Sequence, residues 1–422
     1  MKFLKGKSFL VLLLILINAV LLVVFFKPSH QTISSSTTTT TNNNWQNVDY
    51  PEISSIGKDW DFQKYTKYFQ NLAEQKGGEY AYHALATAAN KGYIAGNVDT
   101  HLLGHTVGDV LYKQKGIEGI KVCTDDIRNA CSHSIVVGYL LENGASSLGK
   151  AVEACHDAPG GSGAYTMCVH GLGHGVLAYE EYDMKKAVNL CNKIGTLKSA
   201  NIEIGQCIGG VTMEMMAGVH DHEAWIKQVP NYFKENDPLA PCDSGFISKE
   251  YTNFCYVYLT PHLFKSAGVE LSFPDPKLFN KAMKYCEGIP FEDRNRSTCF
   301  GSFGKEYVVL SNARNVQNVS SMKDAQLLQV YNWCKLGPVE GVSPCIESAL
   351  QSIYWGGEND SKVSVRFCNI IPDQKYSNEC MENLIGSVSY YVKDAKYREL
   401  FCSEVTEKFK EDCRARLLNP IR

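Results

Sequence analysis

Two pairs of histidines stand four residues apart: His101 and His105 in THLLGHTVG, and His170 and His174 in CVHGLGHGV. A fifth, His133, falls between them in CSHSIVV. On a helix, side chains at i and i+4 share one face with Cβ atoms about 5–6 Å apart, close enough for two imidazoles to reach one ion. Glu214, in CIGGVTMEMM, adds a carboxylate suited to ligation or to general acid–base work. Imidazoles with a carboxylate suit a divalent transition metal, zinc, copper or iron. A catalytic site of this kind keeps one coordination position open for water or substrate. Five imidazoles exceed the usual three or four ligands of one ion. The set therefore implies two ions, or one histidine that serves the substrate. A hydrogen-bonded network of buried histidines without metal is the plainer alternative, and it stays open at this point.

The flanking sequence gives the histidines a common register. The sixteen cysteines fall into eight neighbouring pairs: Cys123 and Cys131, Cys155 and Cys168, Cys191 and Cys207, Cys242 and Cys255, Cys286 and Cys299, Cys334 and Cys345, Cys368 and Cys380, Cys402 and Cys413. From one pair to the next the first cysteine advances by 32 to 51 residues, the spacing of a supersecondary repeat. The first cysteine ends an amphipathic stretch such as LGKAVEAC or MKKAVNLC, with apolar residues at helical spacing. Its partner opens a second apolar run with small residues, such as CVHGLGHGVLAYEE or CFGSFGKEYVVL. Each unit reads as helix A, a loop holding the cysteines, then helix B. One hairpin cannot bury its apolar face alone, but stacked hairpins can. The expected fold is an all-α solenoid of about nine hairpins, the last eight with one disulfide each. Zinc motifs space cysteines C-x₂₋₄-C, and no pair here is that close. Disulfides are the expected state, paired within units, although spacing alone does not fix connectivity.

Aligned on the second cysteine, His133 and His170 occupy the same position, and the next unit has Gly209 there with Met213 and Glu214 one turn later. Equivalent positions on successive B helices lie side by side, and helices packed about 8–10 Å apart can share a centre. Gly104, Gly108, Gly138, Gly171, Gly173, Gly175, Gly209 and Gly210 fall inside these B helices, where each costs about 1 kcal/mol against alanine. Close helix packing or a ligand against the backbone must compensate. Other candidates read more plainly. His156-Asp157 and HDHE (220–223) suit turns and caps; Met213, Met215 and Met216 suit a core; Glu347 and Glu382 suit a surface. Asn295, Asn318 and Asn359 each open an N-x-S glycosylation pattern. No phosphate loop, G-x-S-x-G or H-E-x-x-H occurs.

At the N-terminus, Lys2, Lys5 and Lys7 precede the apolar run FLVLLLILINAVLLVVFF at 9–26. Eighteen residues span roughly 27 Å as a helix, near the thickness of a bilayer's hydrocarbon core. No A-x-A cleavage pattern follows, so an uncleaved signal anchor is expected over 1–27, a cleaved signal being the alternative. The lysines place the N-terminus in the cytoplasm and the body outside it. A Ser/Thr/Asn-rich stalk follows over 28–44, then histidine-bearing repeats over 45–222 and disulfide-stapled repeats over 223–422. A net charge of −3 and a pI near 6.4 give no basic field for nucleic acid. The functional expectation is a membrane-anchored metal-dependent hydrolase or oxidoreductase. Its rivals are a scaffold that binds protein or glycan on the C-terminal repeats, and a metal capture or delivery protein.

Overall fold

The structure, a computed structural model, describes residues 48–418 apart from 96–97, 125, 196–199, 219, 235, 272, 313–318, 357–360 and 393. The chain divides into two units, Met1–Asn42 and Asn43–Arg422, and all that follows concerns the second. The expected anchor over 1–27 and stalk over 28–44 lie outside the described residues. Among those described, no helix is long and apolar enough to cross a membrane.

The described residues form helices and no strands. A first helix α1 (Phe62–Lys76) precedes a hairpin of α2 (Gly78–Asn90) and α3 (Thr100–Lys115). Next come α4 (Ala130–Asn143), then α5 (Leu148–Cys155) with α6 (Gly161–Tyr179), and α7 (Met184–Cys191) with α8 (Ala200–Ala217). Helix α9 (His222–Tyr232) leads into a turn-rich stretch holding two short helices, α10 (Thr252–Tyr256) and α11 (Thr260–Ala267). The remainder pairs α12 (Phe279–Lys284) with α13 (Arg294–Ser311), α14 (Asp324–Cys334) with α15 (Val339–Gly356), and α16 (Ser361–Ile370) with α17 (Gln374–Tyr391). A last pair joins α18 (Ala395–Glu404) and α19 (Glu407–Leu417).

Local chemistry sets the boundaries. Aspartates cap α1, α3, α7, α9, α13, α17 and α18, each accepting a backbone N–H of the first turn. Each such cap contributes about 1 kcal/mol. Helices α3 and α4 stop at Gly116 and Gly144, whose positive φ of 59° and 71° suits glycine alone. The short A helices are one-sided: α7 buries Met184, Ala187, Val188 and Leu190 and exposes its lysines. Burying each large side chain stabilises by roughly 1.5–3 kcal/mol, which requires a neighbouring hairpin.

The cysteines bond as the repeat implies, each to its neighbour in sequence. Cys123 is joined to Cys131, Cys155 to Cys168, Cys191 to Cys207 and Cys242 to Cys255. Cys286 is joined to Cys299, Cys334 to Cys345, Cys368 to Cys380 and Cys402 to Cys413. Their Cα separations are 5.4–5.7 Å, and no thiol is left free to ligate metal. The longer helices of successive units pack on each other: α3 on α4, α4 on α6, α6 on α8, then α13 on α15 and α15 on α17.

Two bridged units depart from the expected hairpin. The run CYVYLTPHLF, opened by Cys255, is not one helix, because Pro261 in the first turn of α11 forces a break after α10. Its partner Cys242 follows turns rather than an A helix. In the other unit, Cys131 does open a long helix, α4, but Cys123 follows a 3₁₀ segment, Gly116–Val122.

Close packing explains the glycines. A Cβ at Gly173 would stand 2.1 Å from the Cys207 carbonyl oxygen, and one at Gly210 would stand 1.9 Å from the His170 carbonyl oxygen. Helices α6 and α8 therefore touch backbone to backbone. Gly173→Ala should cost about 1–3 kcal/mol, seen as a lower urea midpoint. Gly149→Ala, whose new methyl meets nothing within 4 Å, should gain up to about 1 kcal/mol. Equal midpoints for the two variants would mean that α6 and α8 separate freely.

Candidate metal centre

Four successive long helices deliver the histidines to one place. Helix α3 supplies His101 and His105, α4 supplies His133, α6 supplies His170 and His174, and α8 supplies Glu214. The sequence-derived set of five imidazoles and one carboxylate comes together in full. His133 sits in the middle, its ring centroid 5.4 Å from His101, 5.6 Å from His105, 5.8 Å from His170 and 5.5 Å from His174. It reaches there because Gly171 has no side chain: a Cβ at that position would stand 2.4 Å from the His133 ring.

The ring nitrogens are arranged in a consistent way. Nε2 of His101 lies 3.2 Å from Nε2 of His105, and Nε2 of His170 lies 3.3 Å from Nε2 of His174. Two nitrogens bound to one tetrahedral ion at 2.0–2.1 Å stand about 3.3–3.4 Å apart, so both pairs have the span of a coordination edge. The opposite nitrogens of three rings are held by the protein. His101 Nδ1 is 2.9 Å from the Ile127 carbonyl oxygen, His105 Nδ1 is 3.2 Å from Ser134 Oγ, and His174 Nδ1 is 2.9 Å from Glu214 Oε2. Hydrogen bonds of this kind fix the tautomer and aim the other nitrogen at a metal. His133 has no partner for either ring nitrogen although it is buried. Leaving such groups unpaired costs about 1–3 kcal/mol each.

Two compact donor groups result: His101, His105 and His133; and His174, Glu214 and His220. His170 stands outside both triads, yet it faces His174 and has Met213 Sδ at 3.4 Å from Nε2. The expectation that Met213 is a core residue is corrected by this contact, while Met215 is buried as expected. His220 is a second correction. Asp221 does cap α9, but His220 itself is not a solvated cap residue: its ring is largely buried, with Nδ1 3.0 Å from Glu214 Oε2 in an ion-pair contact without hydrogen-bond angles. It lies in the turn after α8, outside the repeat alignment, so no register pointed to it. His156 and His222 are exposed, stacked on Tyr165 and Trp225, and Glu347 and Glu382 are exposed as expected. Among the glycosylation patterns, Asn295 is buried with Nδ2 donating to Thr252 Oγ1 at 2.8 Å, which closes it to a glycan. Asn318 and Asn359 lie outside the described residues.

Two further groups join the centre. Tyr182 donates a hydrogen bond to Glu214 Oε1 and accepts the backbone N–H groups of His220 and Asp221 at 3.2 and 3.1 Å. Asp109 continues the face of His101 and His105 by one turn, near Ser134 and His220, with its side chain exposed. Surrounding protein raises its carboxyl above the ordinary value, against the pull of Ser134 and His220. The i, i+4, i+8 spacing of His101, His105 and Asp109 was the available signal for it. Backbone strain marks both supports. The five non-glycine residues with positive φ among those described are Ile127, Arg128 and Asn129, beside His101, and Glu181 and Tyr182, beside Glu214. Such conformations cost about 1–3 kcal/mol each and persist where surroundings over-determine them.

Burial, with help from neighbouring histidine charges, holds His105, His133 and His170 well below the ordinary imidazole value, and burial also lowers His101. Burial alone would raise Glu214, but the hydrogen bond from His174 and the charges of His174 and His220 outweigh it and keep the carboxylate ionised. Burial works against charge on His220 as well, yet Glu214 more than offsets it, so His220 is raised. In chelator-treated protein, the four lowered histidines stay neutral where the unfolded chain has begun to protonate near 6.5. Below that pH the unfolded state binds more protons, so stability is complete above it and falls as pH drops. His220 runs the other way, contributing below that value and fading as pH rises through its folded pKa. With four groups against one, the melting temperature of chelator-treated full-length protein should fall from about pH 7.5 to about pH 5. His133→Phe should lessen that fall. A flat profile in the wild type would mean that the imidazoles are solvated.

No known family matches the chain, no curated protein matches it, and no solved structure matches it, so a functional reading rests on the site alone.

Proposed function

We propose that this chain is a membrane-anchored, extracytoplasmic metalloenzyme of the hydrolase class, built on an α-solenoid of about nine hairpins. In this reading its histidine centre holds divalent transition metal, zinc, copper or iron. The observation that carries it is His133, a buried imidazole with both nitrogens unpartnered amid two Nε2 pairs that have the span of a coordination edge. One ion would rest on His101, His105 and His133, and a second on His174 with Glu214 and His220 or with His170 and Met213. Paired ions, when bound, would supply Lewis-acid chemistry for a hydrolysis. Asp109, exposed near His220, would serve as the base that accepts a proton there. Glu214 is reassigned from catalysis to holding His174 and His220, because both of its oxygens are engaged with His174, His220 and Tyr182.

The partial exposure of His101 and Asp109 favours catalysis over metal capture, since turnover needs a way in. The address outside the cytoplasm rests on the lysines before 9–26 and is supported by eight disulfides, which persist in oxidising compartments. A second reading, a partner-binding role for the C-terminal hairpins, is favoured by Phe291 and Val339. These side chains are 73 % and 82 % exposed beside the Arg296–Glu340 ion pair. Full-length protein purified without a histidine tag should carry stoichiometric metal by mass spectrometry, and His170→Ala with His174→Ala should lose at least half of it. Near-zero metal in both proteins would remove the metalloenzyme and leave the binding role.

A further inference from the structure

Beside the histidines stands a cationic pair that the centre does not use. Arg128 lies in the strained turn Asp126–Asn129, with φ 53°, and its guanidinium has no hydrogen bond or ion pair with any described residue. Arginines with a structural task in this fold behave differently. Arg398 donates to the carbonyl oxygens of Val392, Leu417 and Ser389, and Arg296 pairs with Glu340. Lys305, on α13, approaches the same region with its side chain only 23 % exposed. Its Nζ sits 4.1 Å from the Tyr258 ring centroid, donates to the Val257 carbonyl oxygen at 3.3 Å and lies 3.6 Å from Glu306 Oε1.

Tyr258 links this pair to the histidines. Its ring is 4.8 Å from that of His170, an approach allowed by Gly209, where a Cβ would meet Tyr258 at 3.0 Å. Arg128 and Lys305 act electrostatically on one another and share Glu306 as a counter-charge, with Asp99 a second one for Arg128. Arg128 directly follows Ile127, whose carbonyl oxygen holds His101, and Tyr258 touches both Lys305 and His170, so the cations flank the two histidine pairs. Neither carboxylate bonds Arg128, so its half-buried guanidinium keeps donors free for a ligand. An arginine fork with free donors matches the two oxygens of a carboxylate or phosphate.

We propose that Arg128 and Lys305 form an oxyanion-binding subsite on the Tyr258 side of the histidine cluster, taking the carboxylate or phosphate of a small acidic substrate whose reacting bond lies at the histidines. The substrate role rests on the metalloenzyme reading; anion binding does not. The test uses full-length protein stripped of metal by a chelator, titrated calorimetrically with inorganic phosphate and, separately, with succinate. Wild type should bind at least one saturably, and the preferred anion tells phosphate from carboxylate. Arg128→Gly, which suits the positive φ, and Lys305→Met should each weaken binding by roughly tenfold or more. Equal affinity in all three proteins, or no saturable heat for either anion in the wild type, would overturn the subsite. Metal content of unstripped samples is measured alongside. Arg128-dependent anion binding in a protein that carries no metal supports the subsite and removes the metalloenzyme; metal without Arg128-dependent binding does the reverse.

Discussion

The contact on which the rest of the molecule depends is the seam where α6 and α8 meet without side chains. Gly173 and Gly210 lie against each other and against the opposite helix's carbonyl oxygens, so the two backbones approach as closely as sterics allow. Similar gaps in side-chain cover, Gly104 against Ala130 and Gly171 against His133, repeat the arrangement between α3, α4 and α6. An imidazole reaches only a few ångströms from its backbone. Rings from four helices can meet only if those helices come closer than leucine-lined ones would. Sparse helix propensity in HGLGHG is the consequence, and the surrounding hairpins and bridges offset it.

That closeness sets up a second layer of constraint. Once the rings are crowded together, orientation decides whether nitrogens face one another or face the protein. The Ile127 carbonyl, Ser134 and Glu214 each hold one Nδ1, which leaves the Nε2 atoms turned inward. The backbone segments behind two of these supports are held in left-handed conformations that their side chains disfavour. Strain at these two places, and not elsewhere among the described non-glycine residues, ties the unfavourable geometry to the site it serves.

Much of this was legible in the chain. The cysteine pairs marked the module, and the module placed His133 and His170 in register, because matching residues of stacked helices become neighbours. What escaped was whatever did not follow the module. His220 and Tyr182 lie in turns, where no periodicity constrains direction. Met213 looked like core because thioether and aliphatic side chains share a pattern. Asp109 shares the face of His101 and His105, but one acid a turn beyond them carries no signal of its own. In the unit bridged by Cys242 and Cys255 an unbroken apolar run imitates a plain hairpin, and only Pro261 marks the break in the helix. Asn295 matched a surface motif that burial against Thr252 contradicts.

The covalent map has a consequence for how such a chain comes apart. Every bridge closes a short local loop, of 8 to 16 residues, and none reaches from one hairpin to the next. A single proteolytic nick in any segment between bridges thus leaves two fragments with no bond across the cut. Whether they stay together is decided by packing alone, as at the glycine seam between α6 and α8 and at Gly304 against α15.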